Sequence, residues 1–67
     1  MVITNVKRDR RRTMEWIFTI RRDEIEYFFE YWTEDEAKKA HNLARRVLDA
    51  AGVNYDEPAP YRAEIEV

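Results

Sequence analysis

The fold turns on residues 13–32, TMEWIFTIRRDEIEYFFEYW. On both sides of Arg22-Asp23 the side chains alternate with a period of two, the signature of strands with two distinct faces. In the first half Met14, Trp16, Phe18 and Ile20 share a face opposite Thr13, Glu15, Ile17, Thr19 and Arg21. In the second half Ile25, Tyr27, Phe29 and Tyr31 oppose Glu24, Glu26, Phe28, Glu30 and Trp32. β-Branched and aromatic residues suit a pleated, half-buried surface. A turn at Arg22-Asp23 predicts an antiparallel hairpin that sets Ile20 against Ile25, Phe18 against Tyr27, Trp16 against Phe29 and Met14 against Tyr31. The turn lacks the Asn-Gly or Asp-Gly pair typical of tight hairpins.

Outward from this hairpin the same period recurs more weakly. Residues 2–7 predict a first strand, with Val2, Thr4 and Val6 facing inward against Phe18, Trp16 and Met14. Ile3, Asn5 and Lys7 take its other face. Tyr61, Ala63, Ile65 and Val67 alternate with Arg62, Glu64 and Glu66, which predicts a fourth strand. Between the third and fourth strands lies a helix. Thr33 is a good N-cap and Glu36 completes a capping box, with Asp35 in the first turn. Ala37, Ala40, Ala44, Val47, Leu48 and Ala51 form one stripe at helical spacing, and Gly52 supplies the left-handed residue after the end. Pro58 and Pro60 make residues 53–60 a loop.

These elements predict an α+β fold, β-β-β-α-β, with one helix packed on one face of a mainly antiparallel four-stranded sheet. Trp16, Phe18, Phe29 and Leu48 are its expected centre. A right-handed crossover places the fourth strand beside the first, giving sheet order 3-2-1-4, with placement beside the third as the alternative. Sixty-seven residues form a single compact domain, 1–67, whose core is necessarily small. One helix covers one sheet face, so the other face is expected to stand open.

Composition narrows the function. The chain is 45% hydrophobic and 39% charged, as in folded soluble chains. It has no apolar run of bilayer length and no signal-like stretch after Met1, so a cytoplasmic protein without membrane contact is expected. It contains no cysteine, serine or glutamine and one glycine. Such a palette fits a designed or idealised chain, and also a thermophile. Net charge is −2, distributed as +5 over residues 1–22 and −7 over residues 23–67. This balance disfavours a dedicated nucleic-acid binder.

Catalysis has little to build on. Serine and cysteine nucleophiles are absent, and one glycine cannot make a phosphate loop. His41, the only histidine, has no second ligand at metal spacing along its helix and reads as a boundary residue of the core. Glu15 and Glu30 would face each other in the expected register, where like charges on a wet sheet discourage misassembly more readily than they share a proton. The expectation is a non-enzymatic domain with no metal and no cofactor.

Two surfaces remain as binding candidates. Ile3, Ile17 and Phe28 would align across three strands of the open face, with Trp32 at one margin and charged residues around them. An apolar centre with a polar rim is the anatomy of a protein interface. The third strand would also offer a sheet edge. The run Lys7-Arg8-Asp9-Arg10-Arg11-Arg12 falls at a hairpin tip, where Arg10, Arg11 and Arg12 could contact phosphate, a less favoured reading than solvated or paired charge.

The order β-β-β-α-β resembles the N-terminal domain of HicB-type antitoxins and small phage inhibitors of host enzymes. The stretch TEDEAKKAHNLARRVLDAAG at 33–52, followed by EPAPYRAEIEV at 57–67, is similar to the antitoxin helix, proline loop and last strand. That resemblance covers most of the chain and implies a regulator that binds a host protein; it transfers no site residue, and an appended DNA-binding domain is not expected. Taken together, the sequence predicts a protein-binding scaffold or inhibitor-like domain, acting on a partner or through self-association as a dimer, with nucleic-acid contact as the lesser alternative.

Overall fold

The long hairpin and the residue that follows it carry most of the chain's aromatic side chains. In the computed structural model, which describes residues 1–57, β3 (Trp16–Arg22) and β4 (Ile25–Tyr31) pair antiparallel along their full length. Two short segments, β1 (Val2–Ile3) and β2 (Lys7–Arg8), pair antiparallel with the other side of β3. The helix α1 (Glu34–Ala50) packs across one face. The architecture is therefore α+β, one helix on a four-stranded antiparallel sheet with β3 at its centre. Two of these four strands are the expected first strand broken in two, and the expected fourth strand at 61–67 lies outside the described residues.

The hairpin register differs from expectation by two residues. Ile20 pairs with Tyr27, Phe18 with Phe29 and Trp16 with Tyr31. The turn uses Asp23 and Glu24 rather than Arg22 and Asp23, and Asp23 takes a left-handed φ of 56°. Short polar side chains tolerate that conformation, which removes the need for glycine. Because side chains repeat every two residues, a shift of two leaves every residue on its expected face. Phe18 accordingly stacks on Phe29 with ring centroids 5.0 Å apart.

The first strand shows a larger correction. Ile3 lies opposite Ile20, and Lys7 lies opposite Ile17. The register thus slips by one residue between them, a bulge-like insertion that switches the chain from one face to the other. Thr4 makes the slip possible. Its N–H donates to the Thr19 carbonyl at 2.9 Å, while its hydroxyl replaces its own carbonyl as acceptor for the Thr19 N–H at 2.8 Å. The freed Thr4 carbonyl accepts from His41 Nε2 at 2.9 Å. Ile3 is therefore directed under the helix, where it is 1% exposed, instead of lying on the far face as the alternation suggested.

The core is Ile3, Ile17, Phe18 and Ala37. Trp16, an expected central residue, stands half-buried at the margin with the Arg8 guanidinium 5.7 Å from its ring centre. It lies at the end of β3, paired with Arg8 on one side and Tyr31 on the other. The helix begins at the expected capping box, with the Glu36 N–H donating to Thr33 Oγ1 at 3.2 Å and the Thr33 N–H to Glu36 Oε1 at 3.2 Å. It closes with Gly52 at φ 71°, where the Gly52 and Val53 amides return to Asp49 and Leu48. Beyond it the chain comes back beside β1: Asp56 forms a parallel bridge to Val2, its N–H donating to the Met1 carbonyl at 2.9 Å. This is the flank of the sheet on which the crossover was expected to land.

Candidate interaction surface

The sheet face away from the helix is covered over β3, at Ile17 and Thr19, while Glu24 in the turn and Glu26 and Phe28 on β4 stay exposed. The connection from β2 to β3 folds back over it, and its charged side chains form the fastening. Asp9 accepts the Arg11 N–H at 3.0 Å, a backbone hydrogen bond that holds its carboxyl below the usual carboxylate range. Arg12 Nη1 then reaches Glu30 at 2.7 Å, and its guanidinium lies 4.1 Å from the centre of the Phe28 ring. Beneath this strap Ile17 is 2% exposed and Thr19 is buried. A polar cleft of about 340 Å³ remains between strap and sheet, lined by Thr4, Lys7, Asp9, Arg12 and Glu26 among others.

The anticipated apolar stripe is thereby dismantled. Ile3 sits on the helix side, Ile17 lies under the strap, and Phe28 supports the Arg12 guanidinium. Trp32 is exposed at the end of β4. The expected carboxylate pair also dissolves, because the two-residue shift places Glu30 opposite Ile17. Glu15 instead pairs with Arg8 at 2.8 Å. In the basic hairpin, Arg8 and Arg12 are thus engaged with carboxylates, and Arg11 reaches Asp9 at 3.4 Å while its side chain projects into solvent. Arg10 is exposed. His41 is buried against the edge of the Phe18 ring, 5.2 Å away, and burial pushes its pKa below the ordinary 6.5. Among the described residues no three potential ligands come together around a metal position, and no helix is long and apolar enough to cross a membrane.

A different surface collects the apolar side chains. All six large apolar residues that are exposed among the described residues, Ile25, Tyr27, Phe28, Trp32, Leu43 and Val47, lie on β4, at its end, or on the helix flank beside it. The helix is close to the sheet at Ala37 and His41, its two buried positions. Further along it leaves a groove of about 340 Å³, floored by Phe18, Ile20, Phe29 and Tyr31 and walled by Leu43, Val47 and Leu48. Phe29 and Tyr31 of β4 line the groove, and β4 has no second partner strand among the described residues.

Backbone geometry makes that edge chemically available. In an antiparallel ladder each residue alternates between bonding one neighbour and the other. Thr19 gives its N–H and carbonyl to Thr4, so its cross-strand neighbour Phe28 directs its own backbone groups away from β3. By the same alternation Glu26 and Glu30 do likewise. Sequence reasoning identified the edge but missed Ile25, Tyr27, Leu43 and Val47. They were assigned to the core or passed over, whereas an alanine-rich helix contributes too little width to cover four inward-facing residues of β4.

Comparison with family models, curated proteins and solved structures found no match for this chain.

Proposed function

We propose that the chain is a protein-interaction module that docks a polypeptide along the β4 edge and the groove beside it. One observation carries this reading: a strand edge with no second partner among the described residues lies next to an apolar groove, with Leu43 and Val47 exposed on its helix wall and Ile25 and Tyr27 exposed on the helix-facing side of β4. Contiguous exposed apolar surface is uncommon on monomers, and strand addition combines backbone hydrogen bonds with side-chain pockets. A partner strand would satisfy three residues' worth of outward backbone groups and cover Ile25, Tyr27 and Val47 together. Such a role suits an idealised binding scaffold and an inhibitor-like or antitoxin-like regulator equally. Nucleic-acid contact through the basic hairpin has less support, since Arg8 and Arg12 are committed to Glu15 and Glu30.

Peptides selected from a random display library against the domain test this reading. Binders are expected to lose affinity for an Ile25→Lys, Val47→Glu variant whose melting temperature matches the wild type, because both charges would be desolvated in the contact. Binders indifferent to these changes would place docking elsewhere.

A further inference from the structure

The chemistry of the occupant can be taken one step beyond docking, and the step rests on that reading. Residues 23–36, which comprise β4 and its flanks, contain seven acidic residues and no lysine or arginine. The two faces of the β4 edge differ. On the helix side an added strand would lie beside Ile25, Tyr27 and the apolar groove, both side chains being about half exposed. On the other side it would lie beside Glu24, Glu26, Phe28 and Glu30. Glu30 is neutralised by Arg12 at 2.7 Å. Glu24 and Glu26 are exposed; Glu26 lies opposite Arg21 on β3 and accepts from the Thr19 hydroxyl at 3.3 Å, which leaves its edge side open to a further cation. A strand that fits both faces must alternate apolar with cationic side chains.

We infer that the β4 edge receives an extended basic segment in which valine-like residues alternate with lysine or arginine. The apolar set fills the groove side and the cations lie over Glu24 and Glu26. A second copy of this chain is a poor occupant, since symmetric pairing of two β4 edges brings two acidic stretches together, and like charges across strands are destabilising. The basic half of the chain offers no comparable edge, because β3 is already paired on both sides and β2 is only two residues long.

The test measures binding of fluorescent peptides to the whole chain by anisotropy. One peptide alternates valine with lysine, a second alternates valine with glutamate, and a third repeats the first with N-methyl groups on the amides facing the edge. The lysine peptide is expected to bind at least about tenfold more tightly than the glutamate peptide in low salt, two cross-strand charge pairs being sufficient for that ratio. The advantage should shrink as salt rises, and N-methylation should abolish binding. The Glu24→Lys, Glu26→Lys variant should reverse the preference; peptide charge reversal gives the same information if that variant is poorly folded. Equal binding of the lysine and glutamate peptides would overturn the charge inference and leave edge docking standing. Unaltered binding of the N-methylated peptide would reduce the contact to charge attraction and overturn the strand geometry. Concentration-dependent dimers with no peptide binding would make a second copy the occupant, refuting the basic segment but not the docking surface. Monomers that bind none of the peptides would remove both.

Discussion

Replacing Thr4 with valine should destabilise the domain by about 2 kcal/mol, although the shape of the side chain is preserved. The hydroxyl accepts the Thr19 N–H at 2.8 Å, standing in for a carbonyl that has turned to His41. Thr19 is only 5% exposed, so water cannot take over. A buried donor left without an acceptor costs roughly 1–3 kcal/mol. The weaker approaches of the Thr4 hydroxyl to the Thr19 carbonyl at 3.4 Å and the Thr19 hydroxyl at 3.3 Å add little. In a domain this small, whose stability is rarely above about 3–5 kcal/mol, the loss is a large fraction of the whole. It corresponds to a fall in Tm of about 8–16 °C. Thr4→Ser keeps the acceptor and deletes one methyl, so it should cost under about 1 kcal/mol. Urea unfolding followed by tryptophan fluorescence, with hydrogen exchange at the Thr19 amide, measures both. If valine proves no more costly than serine, the hydroxyl is not completing the ladder, and the account of the face switch fails.

Two further perturbations address the helix contact and the strap. Burial is the main influence depressing the His41 pKa, with the Thr4 hydrogen bond opposing it. The unfolded chain therefore takes up the proton first as pH falls below about 6.5, so His41's contribution is complete above that value and declines beneath it. The stability gap between wild type and His41→Leu should thus narrow on acidification, and a gap independent of pH would contradict the buried neutral imidazole. Arg12→Ala removes the ion pair to Glu30 and the cation over Phe28; with both groups partly exposed, denaturation should show a loss of about 1 kcal/mol that diminishes in concentrated salt. Full retention of stability, together with unchanged methyl chemical shifts of Ile17, would show that the strap is not held by Arg12.

Much of the architecture is written locally. The period-two run from Met14 to Tyr31 sufficed for the hairpin and for its helix-facing side, since a two-residue error in the turn cannot move a side chain across the sheet. Thr33 and Glu36 mark the helix start, and Gly52 its end, because capping depends on neighbours within one turn. The candidate site was less legible. Its edge strand was apparent from element order, but the exposed apolar set depends on where an alanine-faced helix comes to rest, and no residue of β4 records that.

What the sequence alone determined is therefore the class of fold, the helix and its caps, and the inner and outer faces of the central hairpin. Only the tertiary structure decided that Ile3 turns under the helix, that Ile17 is roofed by the arginine strap, and that Ile25 and Tyr27 remain in contact with solvent. The physical reason is common to all three. Alternation specifies faces within an unbroken strand, but the slip at Thr4 is stabilised by His41, 37 residues away, and the strap by Glu30, 18 residues from Arg12. Such contacts exist only after the elements have packed, and their partners carry no local pattern that announces them.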